Sequence, residues 1–259
     1  MKYILDVDAS KVIEAVRSTG VTITPAMMHY AHYLISNMKN IGTWQLSSAV
    51  YGFVGGTADS HKWNWKDLRD LDAAFRLTYG GTVTHSANGM QGNGTTGYAN
   101  TNLNPSLVVS LNNQGYDFYI KDNIQGIVNS PFGADDTTGG IIRPIINTNT
   151  TTALAIRISS NVPSLSVLTN DKTGFYSFQR TSSTNVELYF KNIKSSNSAV
   201  STALVNQNIF IGAYNANGNP LNFSTSTIKF STIRQSITES QSLQQSQIVT
   251  NAQAILNRL

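Results

Sequence analysis

The sequence contains no cysteine, which excludes disulfides, thiolate metal sites and cysteine nucleophiles. Charge is almost as scarce: Lys, Arg, Asp and Glu make up 12% of the 259 residues, and only Glu14, Glu187 and Glu239 are glutamate. A glycosidase built on a β-sandwich generally needs two carboxyl groups flanking the scissile bond. Glu14 and Glu239 fall on expected helices, and Glu187 lies in an expected strand with no acidic residue two positions away. A protein that is not an enzyme is therefore expected. No apolar run approaches the roughly 20 residues of a membrane span. The opening MKYILDVDASK is broken by Asp6 and Asp8, unlike a secretory leader. A chain made in the cytoplasm without a membrane partner is the expectation. The 18 basic residues outnumber the 14 acidic ones but form no stripe, and nucleic acid, whose binding concentrates basic charge, is not expected as a partner. The Gly-rich stretches from 55 and 89 lack the Lys of a phosphate loop, and no cofactor is expected.

What the chain has in abundance is uncharged polarity: 28 Ser, 27 Thr and 27 Asn. Thr suits the pleated surface of strands, and Asn, Ser and Gly supply turn conformations. Val12, Ile13 and Val16 recur at helical spacing before Gly20. Thr24 then stands as an N-cap with Pro25 at the first helical position, and Met27, Met28, Ala31, Leu34, Ile35 and Met38 mark one helical stripe. From Ala49 the pattern becomes short apolar or alternating runs between Gly, Asn, Asp and Ser clusters, such as SLVVSL from 106, YDFYIK from 116, GFYSFQR from 174 and STIKFSTI from 226. In NVELYFK, Val186, Leu188 and Phe190 alternate with Glu187, Tyr189 and Lys191, which predicts one core face and one wet face. Many short strands with turn signals between them indicate a sandwich or jelly roll. Helical spacing returns through Leu243, Ile248, Ala252, Ile255, Leu256 and Leu259, with Ser236 and Glu239 in a capping-box pattern. The expected organisation is a helical segment over 1–47 for attachment or oligomerisation, a sandwich over 48–235, and a helix over 236–259 docked on it.

Few residues stand out chemically. His29 and His32 lie three apart on the second helix, and with Tyr30 and Tyr33 they mark a candidate interface; nothing near them in sequence completes a metal shell. Asp135 and Asp136 are a candidate calcium pair, although adjacent aspartates also serve ordinary turns. Trp63 and Trp65, within HKWNWKDLRDLDAAFRL, either stack on sugar or anchor a core. Arg69, Asp70 and Asp72 are expected to lock that loop together. His61 and His85 adjoin Ser60 and Ser86, but no nucleophile elbow is present.

The stretch from Ser48 to Pro105, with its FVGGT, KWN and RDLDAAFRL elements, and the tail from Asn208 resemble blocks of structural proteins of tailed bacteriophages, including crAss-like phages. That resemblance implies a concanavalin A-like or laminin-G-like jelly roll carried on the virion, as head or tail fibre, decoration or tail component. Other virion proteins would be its partners, a homo-oligomer, a trimer for choice, its state, and a host surface glycan a further ligand. A carbohydrate-binding adhesin is the alternative function, with a depolymerase behind it. Gly52 and Leu68 stand where the family pattern has Pro, a departure expected to affect loop rigidity. Residues from about 110 to 205 match no family motif.

Overall fold

The computed structural model describes residues 5–122, 129–146, 152–160, 165–168 and 171–259. The first four residues of the opening MKYILDVDASK lie outside them. α1 (Val7–Ser18) and α2 (Pro25–Asn40) open the chain, α3 (Thr43–Leu46) and α4 (Ala58–His61) are single turns, and α5 (Glu239–Ile255) closes it. The strands are β1 (Ser47–Tyr51), β2 (Thr78–Gly80), β3 (Val83–Ser86), β4 (Gly89–Gly92), β5 (Tyr98–Asn100), β6 (Gln114–Ile120), β7 (Phe132–Asp135), β8 (Ile141–Ile146) and β9 (Thr152–Ile158). They continue with β10 (Leu165–Leu168), β11 (Gly174–Arg180), β12 (Asn185–Phe190), β13 (Ile193–Ser198), β14 (Phe210–Ile211), β15 (Tyr214–Ala216), β16 (Asn219–Leu221) and β17 (Thr227–Arg234).

The strands form two sheets. One runs β13-β12-β11-β6-β17-β4-β3, with β1 also on β17; the other runs β10-β9-β8-β7-β14-β5-β2, with β15 and β16 attached beside β7. All described pairings are antiparallel except β15 with β7. The protein is thus a mainly β sandwich of jelly-roll type with helices at both ends, as the strand pattern predicted. Alternate residues meet between the sheets. Tyr116, Phe118 and Ile120 of β6 face Phe132 of β7, and Phe118, Tyr176 and Phe190 stack with centroids 4.8 and 4.3 Å apart. Such ring pairs add about 0.5–1.5 kcal/mol each beyond the area they bury. Arg180, fully buried, bridges the two sheets by donating to the carbonyls of Ile158 and Ala199.

The helices form a third layer. Val50, Val54, Tyr119, Phe175 and Phe230, all from the β1–β17 side of the first sheet and its margin, join Val12, Ile35, Leu34 and Val249 in a second apolar core. Capping starts the helices as their sequences ask. Thr24 accepts from the Met27 N–H, and Asp6 accepts from the Asp8 and Ala9 N–H groups while also pairing with Lys39 of α2. The α5 box is displaced by two residues from the expected Ser236 and Glu239: Thr238 and Gln241 cap each other. Ser236 is instead held extended by Asn113, and Ile237 by the Gln179 side chain, so the helix starts only beyond them.

Other expectations are corrected here. SLVVSL is no strand: a 3-10 turn begins at Pro105 and leaves Leu107 exposed. The wet face expected on β12 is buried at Glu187 and Tyr189, because α5 packs across β11 and β12. Gly52 bears on packing, beyond loop rigidity. A Cβ there would fall 2.1 Å from a Trp65 ring carbon, so the Pro of the family pattern has no room beside this tryptophan. Leu68, at the other departure, packs partly buried against the helical core.

Candidate functional site

The residues singled out by sequence scatter. Tyr30 of α2 is fully buried, its ring edge-on to Trp65 at 5.9 Å and its hydroxyl donating to the Gly52 carbonyl, so it belongs to the interior and not to an interface. His32 accepts the Asp6 N–H through Nδ1, Tyr33 accepts from Asn251 of α5, and His29 is exposed beside the Tyr33 ring. Trp63 and Trp65 are buried anchors of the helical core, which answers the choice left open by their sequence. Asn64 between them fixes the loop, accepting from the Val50 N–H and donating to the Ala74 carbonyl. The expected ion-pair lock is rearranged: Arg69 pairs with Asp67, while Asp70 and Asp72 pair with Arg76. Asp136 spends its carboxylate on the N–H groups of Thr138, Gly140 and Asn206 and the Thr138 hydroxyl. These donors hold it below the usual carboxylate range despite its burial. Asp135 accepts from the Thr137 N–H. Both are turn-forming, and no cluster of three His, Asp or Glu that would hold a metal exists among the described residues.

Two features were not legible in the sequence, the first being the pairing of two histidines it singles out separately. His61 and His85, 24 residues apart, meet with their Nδ1 atoms 3.0 Å apart. The Gly56 N–H donates to His61 Nε2, which places the His61 proton on Nδ1 and makes His85 Nδ1 its acceptor. A metal at the two Nδ1 atoms would need the lone pair that this tautomer lacks. Burial pushes both imidazoles below their ordinary values, His61 far below, with His85 and Arg258 adding to its shift. Lys229 occupies the β17 bulge between Ile228 and Phe230, fully buried, its Nζ without a hydrogen-bond partner and 5.6 Å from the Tyr119 ring centroid. Burial, with Lys121 and Arg258 adding repulsion, takes its ammonium down to about 7.

The outer face of the second sheet differs from that of the first in carrying no helix of the apolar layer. No described side chain of that sheet joins the core beneath the helices. Register fixes which side chains look outward. Ile142, Ala134, Ile211 and Ala99 point into the sandwich, so Arg143, Phe210, Asn100 and Tyr98 point away from it. Arg143 lies directly opposite Arg157. Phe210 is covered by the Tyr98 ring at 4.5 Å and Tyr214 by the Arg143 guanidinium at 4.2 Å. Phe223 stands 6.5 Å from Tyr98. Gly80 is required by this arrangement, since a Cβ there would lie 2.3 Å from the Tyr98 ring. The outermost layer is thus half-buried rings beside guanidinium and amide groups, a mixture of flat apolar area and fixed donors that suits a polar ligand with apolar faces.

No family model matches the sequence, and no curated protein matches it. Solved structures do. Domain 4 of an extracellular arabinanase from Geobacillus stearothermophilus, determined in complex with arabinotriose, aligns over 77% of this chain and 98% of its own with a TM-score of 0.53 and 18% identity. A mutant Trypanosoma rangeli sialidase displaying trans-sialidase activity aligns over 90% of this chain and 40% of its own, with a TM-score of 0.50 and 10% identity. At these identities the likeness is one of fold.

Proposed function

We propose that this chain is a carbohydrate-binding module that holds a glycan on the outer face of its second sheet. The observation that carries the reading is the asymmetry of the sandwich. One sheet is roofed by helices, and the other presents Tyr98 and Phe223 as half-buried rings with Asn100 and Arg143 alongside. Sugar rings pair apolar C–H faces with hydroxyl edges, and such a surface answers both. The fold likeness to an arabinanase domain solved with arabinotriose supports the same reading. A glycan array tests it: saturable binding that is lost in Tyr98→Ala and Phe223→Ala, both variants still unfolding cooperatively, is expected. A blank array overturns it.

The reading is non-catalytic. Glu187 is engaged by Gln179, Asn185, Tyr189 and Lys194, and Glu239 by Lys194. Glu14 pairs with Arg17 on the exposed side of α1. No glutamate therefore stands on the open face, and release of reducing sugar from a bound polysaccharide would contradict this view. The setting proposed for the module is a bacteriophage particle, among other virion proteins and as a trimer. That setting rests on the sequence resemblance of residues 48–105 and of the tail from Asn208. Mass spectrometry of purified particles and the mass of the protein in solution test it; a monomer absent from particles removes it.

A further inference from the structure

Six of the eight arginines have their guanidinium groups answered within the chain. Arg17, Arg69, Arg76 and Arg234 pair with carboxylates, and Arg180 and Arg258 are capped by backbone carbonyls. Arg143 and Arg157 differ. They are register partners on β8 and β9, so two like charges stand directly opposite on one face, an arrangement that repels. No carboxylate lies within ion-pair distance of either among the described residues. Among the described residues Arg143 donates from Nε to the Ser130 hydroxyl at 3.3 Å, and its guanidinium carbon stands 4.2 Å from the Tyr214 ring centroid. Arg157 Nε is buried with no hydrogen-bond partner. Asp135, the acidic residue of neighbouring β7, gives an oxygen to the Thr137 N–H. Burial, with Arg157 adding repulsion, draws Arg143 below the ordinary guanidinium value, although Tyr214 and the more distant Asp135 act the other way.

We infer that Arg143 and Arg157 together receive an acidic group of the bound glycan, a carboxylate or a sulfate, and that the ligand is an acid-bearing polysaccharide. The inference rests on the open sheet face being the glycan site. Opposed Cα atoms in an antiparallel pair are about 4.5–5.5 Å apart, which lets two guanidinium forks converge on one anion. Each supplies paired N–H donors to planar oxygens, the strongest neutral-pH recognition of such groups. The Tyr214 ring beneath Arg143 holds its guanidinium by a cation–π contact. An arriving anion relieves the repulsion between the two cations.

The test is an array in which uronate-, sialate- and sulfate-bearing glycans each stand beside a neutral counterpart, methyl-esterified, reduced or desulfated. It is read with the wild-type chain and with Arg143→Gln, Arg157→Gln and Arg143→Lys. Binding to acidic members is expected to exceed that to their counterparts by roughly ten- to hundredfold, and each Gln variant is expected to erase most of that difference. Arg143→Lys, keeping charge without the fork, is expected to restore only part of it. Which acidic members bind separates carboxylate from sulfate. Equal binding of acidic and neutral members, or an acid preference untouched in both Gln variants, overturns the inference and leaves the glycan site standing. Binding to nothing on the array overturns the glycan site itself.

Discussion

Beneath the helices, Asp117 of β6 and Arg234 of β17 are fully buried, and every side of the pair is answered. Arg234 grips both carboxylate oxygens at 2.8 Å and also reaches Ser177 and Gln179, while Thr232 and Gln245 of α5 complete the shell around Asp117. Gly115 lacks the Cβ that would strike the Arg234 guanidinium. On the open sheet, Arg143 and Arg157 stand side by side, and neither forms an ion pair among the described residues. Polar groups buried by folding are satisfied by the chain that folds, whereas polar groups left unsatisfied at a surface point outward to something else. The two faces of one sandwich thus separate a structural use of charge from a recognition use.

The comparison breaks most visibly at Asp117. Asp117→Ala leaves Arg234 buried and uncompensated, and a loss of about 3–5 kcal/mol in urea unfolding is expected. A loss below about 1 kcal/mol would mean that water reaches the pair and that the helical roof is loose. The roofed side has its own unanswered groups, among them Trp63 Nε1, Ser242 Oγ and the Oε1 atoms of Gln245 and Gln253, and Lys229 is the charged one, a buried amine with no hydrogen-bond partner. Replacing it by Met, of similar length, is expected to stabilise the protein by about 1–3 kcal/mol near pH 7. The sign follows from linkage. The lysine's folded value of about 7 lies below its unfolded value of 10.5, so the unfolded chain binds more protons between them and stability rises with pH across that window. Unfolding curves from pH 6.5 to 10 should show this rise in the wild type and a flatter profile in Lys229→Met; identical profiles would sink the assignment.

How far this was legible in the sequence depends on range. α1 and α2 were readable because capping residues and a 3.6-residue stripe are local, and the sandwich was readable from alternation along strands such as β12. The burial of Glu187 and Tyr189 was not, because alternation says that two faces differ and not what covers the second. Nor was β8, whose IIRPII contains Pro144 and reads against a strand. The ladder from β7 engages only Ile141 and Ile142, so Pro144 sits where no hydrogen-bond donor is wanted on that side. The open-face pair was hidden with it, since Arg143 and Arg157 become neighbours only through the β8 to β9 register. Trp63 and Trp65 drew attention as candidate sugar platforms, yet aromatic residues serve cores more readily than surfaces.

A smaller effect is expected where the roofed sheet's margin meets its loops, at the histidine pair. Both imidazoles are held neutral with values lowered from 6.5. The unfolded chain therefore takes up protons first as pH falls, and stability present above 6.5 is lost below it, by up to about 1.4 kcal/mol per histidine for each pH unit. Protonation of His85 would also set two N–H groups against each other at 3.0 Å. His85→Gln keeps an acceptor for His61 and removes one titrating group, so its unfolding free energy between pH 7 and 5 should fall less steeply than that of the wild type. Equal slopes would show that the acid sensitivity resides elsewhere.

The smallest expected effect is the one the comparison needs most. Among the described residues Arg157 has no ion pair, its Nε has no hydrogen-bond partner, and a like charge, Arg143, stands directly opposite. Removing that charge deletes no attraction that folding supplied and relieves one repulsion, so Arg157→Gln should change unfolding free energy by no more than about 0.5 kcal/mol in either direction. Arg234→Gln on the roofed sheet removes a partner from a buried carboxylate and should cost about 3–5 kcal/mol. The two substitutions are chemically identical and both replace a strand arginine. A large loss at Arg157 would show that its guanidinium is satisfied by the fold after all, and the distinction between the two faces would close.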